Sequence, residues 1–437
     1  MPDPAAPSAT PPYRELLRVF TRIGLLSFGG PAGQIALMQH ELVDERKWVE
    51  QGAFLRALNL CHLLPGPEAQ QLATWIGWRL HGVKGGLAAG LLFVIPGALV
   101  MLALSMLYAM AAGLGWFAAL FLGVKSAVLA IVAQALLRIG KRALGTRFKL
   151  LLAALAFLAL FVFRAPFPWV IAGAAFMGAL ASSARPEWLG THAPPAPQAN
   201  LPSKRRLAAT TVATIAVWLA IWAAPMALVA ATLGTHHVLW DIGTFFSKLA
   251  VVTFGGAYAV LAYMAQAAVE QYQWLTPGEM ADGLGLAEST PGPLIMVTQF
   301  TGFLAAWRSP APFTPLGAGL IGAALTTWVT FAPCFLWIFA CAPWMERLEQ
   351  AKALQSALAA ITAAVAGVVA QLALWFALHV LFARPEAAIF GLPDPTSIDW
   401  RAALIAVAAA FLLFRLKRSL MEVLGLAAFA GLLLGLL

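Results

Sequence analysis

The chain has 437 residues, 61% of them hydrophobic and 11% charged, against roughly 45–50% and about 25% in an average soluble domain. A soluble fold of this size covers its surface with polar groups, and this composition does not supply them, so a cytosolic enzyme, a nucleic-acid binder and a disordered chain are excluded. The net charge of +9 comes from short basic clusters between apolar runs, the pattern that the positive-inside rule produces.

The class that remains is an all-α polytopic membrane protein. Its apolar segments are long continuous runs without the dyad alternation of a β-barrel. Residues 1–13 begin Pro/Ala-rich and almost uncharged, which predicts a disordered cytosolic tail and no cleavable signal peptide. About thirteen membrane-length segments follow, near 16–38, 52–80, 86–110, 113–137, 150–163, 168–182, 207–232, 243–266, 279–307, 315–341, 354–382, 399–414 and 419–437. The two short ones read as a tight hairpin around Arg164-Ala165-Pro166. Residues 183–206, rich in Pro and ending in Lys204-Arg205-Arg206, read as a cytoplasmic linker, and 207–232 as a connecting transmembrane helix. Cys61, Cys334 and Cys341 lie in or beside apolar segments, at spacings that suggest neither a metal site nor a disulfide framework.

An internal repeat organises the chain. Phe28-Gly29-Gly30 recurs as Phe254-Gly255-Gly256, Trp48 as Trp274, and Pro65-Gly66-Pro67 as Pro291-Gly292-Pro293, every pair 226 positions apart. Phe20/Phe246, Gly52/Gly278 and Leu58/Leu284 keep that spacing, as do the conservative pairs Ser27/Thr253, Arg22/Lys248 and Asp44/Glu270. The chain therefore reads as two related halves, 14–182 and 243–437, a common plan among secondary transporters. Arg14, Arg18 and Arg22 place the N-terminus inside, and the basic blocks at 79–84, 138–149 and 204–206 fall on the same side. The helix 207–232 then carries the chain outward, so the second half starts from the opposite face and the repeats are expected to be inverted. The loop 267–279 gives this no support, since it has Glu270 and Glu279 and no Lys or Arg.

Each Pro-Gly-Pro sits inside an apolar stretch. Proline removes an amide donor and clashes with the preceding turn, so a continuous helix is not expected there. The chain either breaks into half-helices or re-enters, and such backbone is tolerated at membrane depth only where protein buries it or it lines a wet cavity. The half-helix after each break starts with unpaired amides, near Glu68–Gln71 and near Leu294–Val297, and those amides with the helix dipole suit an anion. A single such motif is as well explained by a packed kink; two at matched positions favour a site. Ser27-Phe28-Gly29-Gly30 and Thr253-Phe254-Gly255-Gly256 interrupt the first segment of each half. Their glycines serve close helix packing, a site, or both.

Ionisable residues inside apolar segments are expensive to keep. Glu68 follows the first Pro-Gly-Pro, Glu288 precedes the second, and His62 occupies the position equivalent to Glu288. These groups either carry a proton in exchange for the anion or, for Glu68, cap a helix. Arg22 and Lys248 either attract an anion or snorkel to the interface, the plainer expectation. Lys125 stands mid-segment, facing a cavity if the segment boundary is right. Gln70, Gln71, Gln299, Asn59 and Thr74 are neutral polar groups near the breaks that suit a desolvated oxyanion. The tryptophans, Trp48 and Trp274 among them, read mostly as interface anchors.

At these residues the sequence resembles the chromate ion transporters, in their long two-domain bacterial form. The resemblance lies in Ser-Phe-Gly-Gly-Pro-Ala-Gly-Gln-Ile-Ala (27–36), in Glu-Leu-Val-Asp-Glu-Arg-Lys-Trp (41–48), in 63–82 around Pro65-Gly66-Pro67-Glu68-Ala69-Gln70-Gln71, in Phe93-Val94-Ile95-Pro96-Gly97, and in the matching motifs of the second half. It implies a secondary transporter of the bacterial inner membrane that exports chromate by alternating access and confers chromate resistance; the alternative is a sulfate-type oxyanion carrier or an uncoupled anion channel of the same architecture. Sulfate is the natural competitor, because both are tetrahedral dianions, and the drive is the membrane potential or a proton gradient rather than ATP. No phosphate-binding loop is present to oppose this. The expected partners are chromate, sulfate, protons and the bilayer, with no nucleic acid, no cofactor and no metal; a homodimer is compatible with the sequence. The expected substrate site comprises Ser27, Phe28, Gly29, Gly30, Pro65, Gly66, Pro67, Gln70, Gln71, Thr253, Gly255, Gly256, Pro291, Gly292 and Pro293. Glu68, Glu288, His62, Arg22, Lys248 and Lys125 are the candidates for coupling or anion attraction. The second half has Leu294-Ile295-Met296-Val297 where the first has Glu-Ala-Gln-Gln, so the two half-sites cannot contribute equal side chains.

Overall fold

The computed structural model describes residues 10–28, 30–111, 113–190, 204–254, 257–348, 351–383 and 393–435. Among them the regular structure is helical, apart from one isolated antiparallel bridge between Phe382 and Ile398. The first half holds α1 (Tyr13–Leu26), α2 (Gly30–Gln39) with a π-helical turn at His40–Glu45, α3 (Gln51–Leu63), α4 (Glu68–Ala111), α5 (Gly115–Ala143), α6 (Arg147–Phe161) and α7 (Phe167–Ala184). Next come α8 (Lys204–Thr232), α9 (Val238–Val252), α10 (Ala257–Gln266), a π-helical turn at Ala267–Gln271, α11 (Pro277–Ser289) and α12 (Val297–Arg308). The chain closes with α13 (Pro315–Cys341), α14 (Met345–Leu348), α15 (Lys352–Leu381), α16 (Trp400–Phe414) and α17 (Leu420–Gly435).

Among the described residues five helices are long and apolar enough to cross a bilayer: Glu68–Ala111, Gly115–Ala143, Leu207–Thr232, Pro315–Trp344 and Lys352–Leu381. Shorter apolar helices cover Phe167–Ser183, Trp400–Phe414 and Leu420–Gly435. Met110, Phe163 and Trp169 are 73%, 76% and 75% exposed. Large apolar side chains so bare to the surroundings suit lipid rather than water.

The expected segments near 16–38, 243–266 and 279–307 each consist of two shorter helices, and that near 52–80 consists of α3 and the first arm of α4. The pieces α3 and α11 have 13 residues and α12 has 12, so each is about 20 Å long, short of the roughly 30 Å hydrocarbon core. The segments expected at 52–80 and 86–110 join in α4, which bends where His81 and Gly82 leave helical geometry. Glycine there takes φ +61°, a conformation that costs it nothing.

Three boundaries differ from expectation. Lys204, Arg205 and Arg206 open α8 rather than ending a linker, as good helix formers can, and Ser183 and Ala184 still belong to α7. Residues 191–203 of the expected linker, and 1–9 of the expected tail, lie outside the described residues. The helix expected from 243 begins earlier, at Val238, because the His237 side chain accepts from the Leu239 amide and caps α9.

The helices of the two halves interlock. α5 packs against α16 and α17, while α15 packs against α6 and α7, and α5 and α15 touch each other. Small residues permit the approach: a Cβ on Gly431 would lie 2.3 Å from the Gly123 nitrogen, and one on Gly367 would lie 2.0 Å from the Ala153 carbonyl oxygen. α8 lies along α13 through two reciprocal bonds, Trp222 Nε1 to the Val329 carbonyl and Trp328 Nε1 to the Ile221 carbonyl, each 3.1 Å. Trp274 is not an interface anchor. It is buried, stacked on Tyr272 at 4.3 Å between centroids and packed on Phe245 and Phe246.

Candidate functional site

Four of the helix stops fall at the repeated motifs: Ser27-Phe28, Leu64–Pro67, Thr253-Phe254 and Thr290–Pro293. Local chemistry sets each stop. The Ser27 hydroxyl turns back to donate to the Ile23 carbonyl, and the Thr253 hydroxyl to the Leu249 carbonyl, both at 2.6 Å. Gly66 and Gly292 take φ +120° and +94°, values that side chains rarely adopt. Gly29, Gly255 and Gly256 lie outside the described residues, and Gly30 is the first residue of α2.

The four stops meet in pairs across the halves. The Gly66 amide donates to the Thr253 carbonyl at 2.8 Å, and the Gly292 amide donates to the Ser27 carbonyl at 2.9 Å. The 226-residue spacing equates Gly66 with Gly292 and Ser27 with Thr253, so the two bonds are one contact made twice. Each joins the Pro-Gly-Pro of one half to the hydroxyl-Phe motif of the other.

Buried polar side chains surround this core. Gln34 Nε2 donates to the Gly292 carbonyl at 2.6 Å and to the Ser27 carbonyl at 3.3 Å. Gln71 Nε2 donates to the Pro65 carbonyl at 2.7 Å, Gln70 Nε2 to the Thr74 hydroxyl at 3.2 Å, and Gln299 Nε2 to the Ala98 carbonyl at 3.1 Å. The side-chain oxygens of all four glutamines are buried without a partner. Unpaired buried acceptors cost free energy, so these oxygens call for water or a protonated ligand. α4 closes on the second stop, where a Cβ on Gly97 would lie 2.4 Å from the Pro291 carbonyl oxygen. Cys334 of α13 closes on the first, its sulfur 2.9 Å from where a Gly66 Cβ would be.

The supply of free amides is smaller than expected. The Gly66 and Gly292 amides are engaged, and the Gln71 amide already donates to the Pro67 carbonyl. After Pro293 the chain enters a 3-10 turn, Leu294–Met296, in which the Met296 amide donates to Pro293 and the Val297 amide to Leu294 and Ile295. Tight i→i+3 geometry consumes donors that an α-helical start leaves open. The first turn of α4, Glu68–Gln70, keeps the open geometry.

The titratable candidates divide. His62 Nδ1 stands 3.5 Å from Glu68 Oε1. Both line a cavity of about 320 Å³ with Ile139, Arg142, Ala143 and Thr362. Glu288 is buried and accepts from the Tyr258 hydroxyl at 2.5 Å, with Arg138 of α5 in electrostatic range. Arg22 is exposed and pairs with Glu41 at 3.5 Å, and Arg46 holds the other oxygen of Glu41; Lys248 is exposed. Lys125 is half-buried on α5, and Asp282 of α11 is the acid in its electrostatic range. Gln34, Gly97, Arg142 and Tyr258 were not singled out from the sequence as site residues. Gln34 and Gly97 fall in the motif stretches, yet nothing in one chain says that a glutamine in α2 meets a turn 258 positions away.

Helices of membrane length and paired broken helices define the class, a multi-pass α-helical membrane protein with the architecture of a transporter. The chromate transporter family profile matches residues 14–179 and 240–432, and the chain belongs to that family. It is 34% identical over 375 residues to a chromate transport protein of Pseudomonas aeruginosa, covering 84% of this chain and 82% of that one. It is 28% identical over 414 residues to a chromate transport protein of Cupriavidus metallidurans, covering 94% and 90%. A probable chromate transport protein of Synechococcus elongatus is 27% identical over 358 residues, covering 82% of each. No solved structure matches the chain.

Proposed function

We propose that the protein is a secondary active transporter that exports chromate across the bacterial inner membrane and thereby confers chromate resistance. The observation that carries this reading is the paired crossing of broken helices, Gly66 to Thr253 and Gly292 to Ser27, in a chain of the chromate transporter family. Two inverted repeats meet at that crossing. The N-terminus is cytoplasmic, and the halves rock about the glycines in alternating access. The tetrahedral oxyanion is held by the first-turn amides of α4 and by nearby Ser, Thr and Gln groups. The Gly66 and Gly292 amides become available when the crossing opens. Neutral donors hold a desolvated anion without trapping it. Sulfate, of the same shape and charge, competes.

The cavity with His62, Glu68 and Arg142 serves as the cytoplasmic entry. Arg142 attracts the anion, and the Glu68 and His62 charges set how strongly it is held there.

Gly66→Leu and Gly292→Leu test the crossing. Each places a side chain where φ is positive and a neighbour stands within 3.1 Å of the new Cβ. Both variants are expected to reach the membrane and lose chromate flux in proteoliposomes. Full flux in either would remove that break from the site.

A further inference from the structure

One buried acid is left unused by the site described above. Asp282 lies in α11, 8% exposed. Its Oδ2 accepts from the Tyr108 hydroxyl of α4 at 2.8 Å, while its Oδ1 is buried with no partner. Lys125 of α5 is in electrostatic range. The repeat equates Asp282 with Arg56, which is exposed in α3, so the first half has no counterpart to this acid.

We propose that Asp282 carries a proton through the transport cycle, with Tyr108 holding one carboxyl oxygen and Lys125 acting as counter-charge to the ionised form. This rests on the transporter reading. A buried carboxylate with one bare oxygen is costly. Protonating that oxygen removes the charge, and drawing Lys125 closer balances it. The two conditions are alternatives, as a coupling group requires. The nearby ammonium disfavours a metal cation in the same place, and among the described residues no cluster of three or more potential ligands exists. The other charge acting on Asp282 is Glu279 on its own helix; Arg308 of α12 pairs with Glu279 and acts on Tyr108. α15 and α17, also packed on α11, carry Lys352, His379 and Glu422 near their ends.

The link to the anion site is mechanical. α11 ends at the second Pro-Gly-Pro, and a Cβ on Gly285 would lie 2.2 Å from Val124 Cγ1, next to Lys125. A shift of α11 with its break therefore changes the separation of Asp282 and Lys125.

The test uses purified full-length protein in proteoliposomes. Exchange of preloaded chromate at equal pH reads the anion site alone, and accumulation against an imposed pH gradient reads coupling. Asp282→Asn is expected to keep exchange while losing gradient-driven accumulation by roughly tenfold or more, with Asp282→Glu restoring part of it. A wild-type gradient response in Asp282→Asn overturns the proposal. Should Asp282→Asn fail to fold, Tyr108→Phe and Lys125→Met are expected to displace the pH profile of accumulation, and an unchanged profile in both overturns it. Infrared titration of the protein without substrate is independent of transport. A protonated-carboxyl band that grows as pH falls should be missing in Asp282→Asn, and identical bands in the two proteins overturn the assignment. If that band behaves as expected while the wild type moves no chromate, the transporter reading fails instead.

Discussion

Gln34 joins the two halves through a single side chain. Its amide nitrogen serves the carbonyls of Gly292 and Ser27; the Ser27 carbonyl keeps the Gly292 amide as donor, so Gln34→Leu takes away the donor of one buried acceptor, the Gly292 carbonyl. That costs about 1–3 kcal/mol and should lower the melting temperature of the detergent-solubilised protein while reducing flux; an unchanged melting temperature would mean the bond contributes nothing net. Glu68 acts differently. It is the acid in a cavity that also holds Arg142, and it repels the anion that Arg142 attracts. Glu68→Gln should lower the chromate KM about fivefold, the effect of roughly 1 kcal/mol of charge repulsion. A raised KM would instead mean that Glu68 orders the site. The motif glycines and prolines were legible in the sequence, because positive φ and missing amides are properties of residue type. Tyr258 and Asp282 were not, since a tyrosine or aspartate in an apolar run gives no sign of its partner.

Helix starts and stops followed the sequence where a local cause existed. α13 opens at Pro315 after the Thr314 cap, and α3 and α11 end before Pro-Gly-Pro. They departed from it where tertiary contacts decide. The 3-10 turn after Pro293 is buried among apolar neighbours, and its sequence, Leu-Ile-Met, does not distinguish it from the α-helical turn that follows Pro67. Trp274 looked like an interface anchor, because its position in a loop between apolar segments is what such anchors share. It is held instead by Phe245, Phe246 and Tyr272. The packing of α5 on α16 and α17, and of α15 on α6 and α7, has no local signature at all. Only the glycines at the contacts hint at it.

The 226-residue spacing equates Gly66 with Gly292 and Ser27 with Thr253, and the structure bonds Gly66 to Thr253 and Gly292 to Ser27. Orientation in the bilayer follows from charge alone and is open to direct test. In a protein with its three native cysteines replaced, Tyr13→Cys at the start of α1 and His236→Cys just before α9, both exposed positions, should label from opposite faces: Tyr13→Cys from the cytoplasm, His236→Cys from outside. Labelling from one face would contradict the inverted arrangement proposed above. The central claim is coupled chromate movement through the crossed breaks. The most direct test is chromate flux into proteoliposomes of purified protein under an imposed pH gradient and potential, with and without excess sulfate. Accumulation beyond equilibrium that follows the gradient and is only partly blocked by sulfate is the predicted result. Flux that merely equilibrates, or that sulfate abolishes, would contradict it.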